Sequence, residues 1–339
     1  MKPARLYDVA RQAGVSEATV SRVLNGKAGV STATRDAVLT ALDVLGYERP
    51  VRLQERSVGL VGLIVPELEN PIFPAFAQVI ENALAQHGYT PVLCTSTPAG
   101  ASEDDYTAML LERGVAGIVF VSGLHADLTA DHGRYRQLAE RRLPMVLVNG
   151  YVEGLDAAFV SNDDVVSMEL AVQHLAGLGH RRLGLAVGPP RFVPVVRKVE
   201  GFRRGLIGRL GLTAAEVDDL VAYGMFGVEG GHAAAGRLLE RGVTAIVCAS
   251  DLMALGAVRA VRAAGLRVPE DVSVVGYDDS PLIAFTDPPL TTIRQAVGPM
   301  GLAAVAVLLD QIGGVPSPHV EYVFRPELVV RGSTGPVGR

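Results

Sequence analysis

Tryptophan is absent from the 339 residues, aromatic side chains make up only 5%, and there are just two cysteines. With so few rings, a core has to be built from Ala, Val, Leu and Ile, the usual filling of parallel sheets covered by helices. Two cysteines exclude a disulfide framework. Cys94 and Cys248 sit in apolar runs that read as strands, so each is expected as a buried free thiol, as a reducing cytoplasm allows. No apolar run approaches the roughly 18 residues of a membrane span. The N-terminal MKPARLYDV has no apolar signal run either, so no membrane partner is expected. No GxxxxGK[ST] loop occurs, and no GxGxxG follows a strand. The Gly227–Gly231 run has the wrong spacing for a dinucleotide and reads as a flexible loop. The seven His show no metal-ligand spacing. Asp163 and Asp164 are adjacent, as are Asp278 and Asp279, and adjacent carboxylates on a strand end point apart rather than working as an acid/base pair. Neither cysteine has a nucleophile motif. No enzyme, metal or cofactor is expected.

The chain is too long for one compact domain, and two or three are expected. Charge divides it unevenly. Residues 1–56 hold nine Lys/Arg against six Asp/Glu, a net +3; the rest hold 22 against 30, a net −8, which together give the overall −5. Only the head is basic, as a phosphate-binding face requires. A charge of +3 is modest, so two heads are expected to act together.

The head reads as three short helices. Leu6, Val9, Ala10 and Ala13 recur at helical spacing and give the first helix one apolar stripe. Gly14 ends it, because glycine takes the left-handed cap conformation at no steric cost. Ser16 can cap the second helix, whose Val20, Val23 and Leu24 face inward. Asn25 and Gly26 stop it. Ser31 caps a third helix that buries Val38, Leu42 and Leu45, and Gly46 closes it. Glu17, Ala18, Thr19, Ser21, Arg22 and Asn25 are left outward. Short side chains let a helix sink into the DNA major groove, and an Arg can grip a guanine bidentately. Thr19, Ser21, Asn25 and Tyr7 suit phosphate contacts, which position without reading sequence. Ser16, Ala18, Ser31 and Thr34 complete the candidate DNA-contact set. The other reading is a plain three-helix surface bundle without nucleic acid.

Beyond the head, apolar runs of strand length alternate with helical segments. Strands read at 59–65, 90–94, 116–121, 144–148, 158–161, 182–187, 218–222, 244–248 and 272–276. Helices read at 73–87, 103–113, 132–141, 164–178, 195–209, 228–241, 252–264 and 298–312. Such alternation signals βαβ units. The pattern also echoes itself: 57–66 resembles 180–189, and 115–122 resembles 243–250. Two like-folded lobes would bring their strand C-terminal ends face to face across a cleft. Asn70, Phe73, Ser122, Asn149, Asn162, Asp163, Ser250, Asp251, Asp278 and Asp279 fall at strand ends. Their amides and carboxylates can bond ligand hydroxyls, while Phe73 and Phe226 can stack on an apolar ring face. Asp251 is expected to cap the helix starting at Leu252. A DNA reader joined to a pocket-forming body implies a ligand-controlled transcription regulator.

The chain resembles the lactose-repressor/galactose-repressor (LacI/GalR) family. The likeness is carried by LYDVARQAGVS at 6–16, TVSRVLN at 19–25, VSTATR at 30–35 and LGY at 45–47. It continues through GLIVPELENPIF at 62–73, HLAGLGHRR at 174–182, SDLMALGA at 250–257, VPEDVSVVGYDD at 268–279 and PPLTTI at 288–293, in order along nearly the whole chain. The resemblance implies an α/β fold: a helix-turn-helix head over 1–47, a linker over 48–57, and an effector-binding and dimerisation domain over 58–339. That domain would be two-lobed, periplasmic-binding-protein-like and Rossmann-like, with parallel sheets. The chain would cross between lobes near 160, 290 and 322. The first lobe would take 58–160 and 291–321, the second 161–290 and 322–339.

By the same resemblance, Phe73, Asn149, Phe226, Ser250, Asp278 and Gln295 fall on effector-contact positions. The family usually places an Arg three residues before the pair that is Gly201 and Phe202 here, to grip sugar hydroxyls. That position is Lys198, with Arg197 beside it, and Lys is a point donor without a planar fork. Either Arg197 takes the role or the ligand is not a common sugar. In the linker, Leu53 occupies the place of a leucine that wedges into the minor groove, or else packs on its own body. Glu17 stands where a small apolar residue is commoner, so a different half-site preference is expected. The resulting expectation is a homodimeric repressor on a pseudo-palindromic operator in double-stranded DNA, controlled by a small-molecule effector. The tail lacks leucine heptads, which favours a dimer. The rivals are a solute-binding protein of the same fold and a sugar-processing enzyme on that fold.

Overall fold

A computed structural model describes residues 5–24, 29–45, 47, 57–96, 100–315 and 319–337. The chain falls into two compact units, Met1–Ser57 and Val58–Arg339.

In the first unit, α1 (Leu6–Ala13), α2 (Glu17–Leu24) and α3 (Thr32–Leu45) enclose a small core. Val9, Ala10, Val20, Val23, Val38 and Ala41 are buried there, with Leu6, Val15, Leu42 and Leu45 packed around them. Gly14 ends α1 at φ 66°, a left-handed value that a Cβ would oppose. The Ser16 hydroxyl accepts the Thr19 N–H at 3.2 Å, and Ser31 accepts the Thr34 N–H at 3.2 Å, so both serines cap the helices they precede. Asn25, Gly26, Gly46 and Leu53 lie outside the described residues.

The second unit contains two six-stranded sheets. The first is ordered β11-β5-β4-β3-β1-β2 and the second β12-β10-β9-β8-β6-β7. The strands of the first are β1 (Gly59–Val65), β2 (Tyr89–Thr95), β3 (Gly117–Val121), β4 (Met145–Val148), β5 (Ala158–Asn162) and β11 (Val320–Phe324). Those of the second are β6 (Leu183–Val187), β7 (Val221–Tyr223), β8 (Ala245–Cys248), β9 (Ser273–Asp278), β10 (Thr291–Arg294) and β12 (Glu327–Val329). The two orders correspond strand for strand, which is the structural form of the internal echo. Every described pairing is parallel except β10 with β12.

Helices cover both faces, so the strands read as continuous apolar runs. In the first lobe, Leu63, Val119, Val146 and Val160 face α4 (Ile72–Gln86) and α12 (Val297–Ile312). Ile64, Ile118, Phe120, Leu147 and Phe159 face the other way, towards α5 (Glu103–Glu112) and α6 (Gly133–Glu140). In the second lobe, one core gathers Leu185, Ile246, Val247 and Val275 with α7 (Asp164–Gly177), α8 (Val193–Leu210), α10 (Val228–Glu240) and α11 (Asp251–Ala263). Glycine permits the tightest helix contacts. A Cβ on Gly256 would lie 2.0 Å from the Val228 carbonyl oxygen.

Four expectations change. The strand expected at 218–222 is β7, starting later, at Val221, because a short helix, α9 (Ala214–Asp218), precedes it; Thr213 and Glu216 form that helix's capping box. The Gly227–Gly231 run opens α10 instead of forming a flexible loop, because its glycines let α10 sit against α11. Ser250, not Asp251, caps α11: its hydroxyl accepts the Met253 N–H at 3.1 Å. Strands β10, β11 and β12 were unforeseen; β11 and β12 are half-exposed edge strands with no buried apolar run to mark them. Because β10 pairs with β9, the crossings between lobes follow Asn162, Arg294 and Phe324.

Candidate functional site

A cleft of about 710 Å³ opens between the two sheets and draws residues from both lobes. That volume suits a small organic ligand, for which sites run from roughly 300 to 1,000 Å³. Strand ends supply much of its wall: Asn70 and Phe73 after β1, Ser122 after β3, Asn149 after β4, Ser250 after β8 and Asp278 at the end of β9. Ser122, Asn149 and Asp278 hold φ values of 48°, 61° and 117°. Non-glycine residues adopt such values only where the surroundings enforce them, and they cluster at functional sites.

The base of the cleft is a bonded polar network. Gln295 donates to Asp278 at 2.7 Å. Burial holds the Asp278 carboxyl well above its ordinary range, and the neighbouring Asp251 charge adds to this. Asp251 is itself pushed up to about 6, chiefly by burial, although the Ser280 N–H and the Thr292 hydroxyl donate to it. Lys198, buried on α8, pairs with Asp164 at 2.5 Å, and its ammonium lies 3.9 Å from the Tyr277 ring centroid. Tyr277 also donates to Asp164, at 2.5 Å, and receives Asn162 at 2.7 Å. Arg197 points elsewhere. Consecutive helical residues project about 100° apart. While Lys198 faces the cleft, Arg197 grips Glu321 of β11 bidentately at 2.6 and 2.9 Å. The expectation that Arg197 joins the ligand contacts is therefore not met; Lys198 keeps the position at the cleft, so a sugar there would meet a point donor in place of the family's planar fork.

Across the mouth, the lobes are joined by a clasp. Asp127 of the first lobe forms an antiparallel bridge with Phe192 of the second. The Leu128 N–H donates to the Arg191 carbonyl at 2.8 Å, and the Arg191 Nε donates to Asp127 at 2.8 Å. Burial raises the Asp127 carboxyl, but Thr129 and Arg191 outweigh it, so the net shift is downward. Glu103 braces the same loop by accepting the Leu124 N–H at 2.9 Å. Phe192 meets Phe226 with ring centroids 5.9 Å apart.

On the head, Glu17, Ala18, Ser21 and Arg22 are exposed and spaced to share one face of α2. Tyr7, Ser16 and Ser31 are also exposed, while Thr19 and Thr34 are half-buried and bonded to Ser16 and Ser31 at 2.9 and 2.8 Å. Asn25 and Leu53, the remaining members of the set, lie outside the described residues.

Residues 5–49 match the family described as "Bacterial regulatory proteins, lacI family", and residues 172–334 match "Periplasmic binding protein-like domain". The chain is 65% identical to the HTH-type transcriptional regulator MalR of Streptomyces coelicolor, over 97% of this chain and 96% of that protein. The chain belongs to the LacI family.

LacI-family proteins are DNA-binding transcriptional regulators and not enzymes. Among solved structures, the regulator resembles the "transcriptional regulator CelR-cellobiose complex" with a TM-score of 0.73 and 35% identity, covering 97% of this chain and 99% of that one. It also resembles the lac repressor dimer bound to operator and the anti-inducer ONPF, with a TM-score of 0.70 and 28% identity, covering 98% and 100%.

Of the expected ligand contacts in this LacI-family chain, Phe73, Asn149, Lys198, Phe226, Ser250, Asp278 and Gln295 all line the one cleft. Sequence reasoning missed Glu67, Leu124, Asp127, Arg191 and Phe192, which line it too. One signal was available: the echo pairs Pro66 after β1 with Pro189 after β6, marking the segment after Pro189 as a strand-end loop. Among the described residues, no cluster of His, Cys, Asp and Glu could hold a metal ion, and no helix is long and apolar enough to cross a membrane.

Proposed function

We propose that this LacI-family regulator is a homodimeric repressor whose hold on a pseudo-palindromic operator is set by a sugar bound in the interlobe cleft. The convergence of seven expected contact residues from two lobes on one cavity carries this reading. Hydroxyl-bonding groups such as Asn149 and Ser250 and the rings of Phe73 and Phe226 line the same cavity, the pairing a saccharide needs. A relative of similar fold is described in complex with cellobiose, which supports a sugar of that general size. For DNA, Glu17, Ala18, Ser21 and Arg22 present one helix face, with Arg22 the base-reading donor. Tyr7, Ser16, Thr19, Asn25, Ser31 and Thr34 contribute phosphate or positioning contacts, and Leu53 acts at the site centre. Leu282 and Phe285, 76% and 85% exposed, are apolar surface that a second copy would cover. Buried free Cys94 and Cys248 suit the reducing cytoplasm.

Sugar binding and operator binding are linked by a coupling free energy, typically about 1–3 kcal/mol. A thermal-shift screen of saccharides, including cellobiose and ribose, tests the first half, since a bound sugar raises the midpoint by mass action. Sugars that leave the midpoint unmoved at millimolar concentration oppose the reading.

A further inference from the structure

The charges lining the cleft are one-sided. Glu67, Glu69, Glu103, Asp127, Asp164 and Asp278 face two cations, Arg191 and Lys198. Neither cation is free. Arg191 is paired with Asp127 at 2.8 Å, and Lys198 with Asp164 at 2.5 Å. Glu103 is held by Arg134, which lies outside the lining. Glu67, Glu69 and Asp278 have no cation within ion-pair distance among the described residues. Glu67 shows the effect: burial raises its carboxyl, and the adjacent Glu69 charge raises it further.

Three helix N-termini at the cleft, those of α4, α7 and α11, are spent as well. Such termini are the usual cradle for a phosphate. At α4, Asn70 accepts the Ile72 N–H through its side chain at 3.3 Å and the Phe73 N–H through its carbonyl at 3.1 Å, and Pro74 has no N–H to offer. At α7, the first turn carries Asp164 and is capped by Asp163. At α11, Ser250 takes the Met253 N–H and the buried Asp251 carboxyl occupies the first turn.

We infer that the cleft takes an uncharged polyhydroxy ligand and rejects the phosphate esters of the same sugars, with Glu67 and Glu69 at the cleft as the groups that reject them. A phosphate dianion would enter among unpaired carboxyls and meet only cations that already hold a carboxylate. A neutral sugar loses nothing by this arrangement, because carboxylates are good acceptors for hydroxyl protons.

The inference rests on the sugar reading above, and one titration separates the two. Full-length protein is titrated calorimetrically at neutral pH with glucose, ribose and cellobiose, and with glucose 6-phosphate and ribose 5-phosphate. For any monosaccharide that binds, the ester is expected to bind at least about ten-fold more weakly. Raising the salt from about 0.05 to about 0.5 M narrows the gap, since the repulsion is screened. In the Glu67→Gln/Glu69→Gln double variant the ratio of sugar to ester affinity falls about five-fold or more. Both residues sit near the surface, so the fold tolerates the change. An ester that matches or exceeds its parent sugar, or a ratio the double variant leaves unmoved, overturns the inference while leaving a sugar-responsive regulator intact. If neither sugars nor esters bind, the sugar reading falls and the inference with it.

Discussion

Arg191 and Asp127 meet across the mouth of the cleft, guanidinium Nε to carboxylate Oδ2 at 2.8 Å, although 64 residues separate them in the chain. The pair joins the lobes directly, beside the Leu128 N–H that donates to the Arg191 carbonyl, so parting the lobes at this point breaks both bonds. Arg191 is 48% exposed. An ion pair at that exposure is worth about 0.2–1 kcal/mol, weak enough to open thermally. Arg191→Ala is expected to speed sugar dissociation by up to about five-fold. The exchange Asp127→Arg with Arg191→Asp should recover part of the loss. Stopped-flow fluorescence with a bound sugar reads both, and unchanged rates in Arg191→Ala contradict the gating role.

Lys198 and Asp164 form a different kind of pair, 7% and 8% exposed. Removing one partner strands a buried charge. Lys198→Met is expected to cost about 3–5 kcal/mol of stability, while Lys198→Met with Asp164→Leu costs far less. Urea unfolding with a double-mutant cycle measures the coupling. A near-zero coupling energy would show that the pair is solvated.

The glycines divide by what a methyl group would meet. On Gly256 it strikes backbone at 2.0 Å, whereas on Gly208, inside α8, it meets nothing within 4 Å. Gly256→Ala should destabilise by about 1–3 kcal/mol through overpacking. Gly208→Ala should stabilise by about 0.5–1 kcal/mol through helix propensity. Thermal midpoints moving in the same direction would contradict the α10–α11 packing.

Asp251 fixes the sign of one pH dependence. Its folded value of about 6 lies above the ordinary 3.8. The folded state therefore holds more protons between those values, and stability falls as pH rises through that window. Asp278 is displaced in the same direction. Asp251→Asn removes this titrating group, so the decline of stability from about pH 4 to about pH 6 becomes shallower. Chemical denaturation at several pH values checks the slope; an unchanged slope shows that Asp251 is not the group that titrates there.

Much of the architecture is legible from alternation alone. The β1 run at 59–65 and its echo at β6 announce two like lobes, and strand ends such as Asn149 and Asp278 then fall on a shared cleft. Arg197 and Lys198 could not be told apart in the same way. Their neighbours differ by one helical step, and the choice depends on Glu321, 124 residues further on. The clasp was hidden for the same reason, since Arg191 and Asp127 become partners only when the lobes face each other. Edge strands β11 and β12 escaped notice because half-exposed strands carry no continuous apolar run. Asp251 was misjudged as a cap because either of two adjacent polar residues can begin a helix, and Ser250 holds the extended backbone a cap requires.

The most direct test is operator affinity as a function of sugar. An operator is selected from random DNA with the full-length regulator, and its Kd is measured by fluorescence anisotropy at fixed salt, first alone and then with a saturating sugar found by calorimetry. A change in Kd of at least about five-fold is expected. The same Kd in both states, or no sequence-specific complex in either, would contradict control of the DNA-reading helix by the cleft.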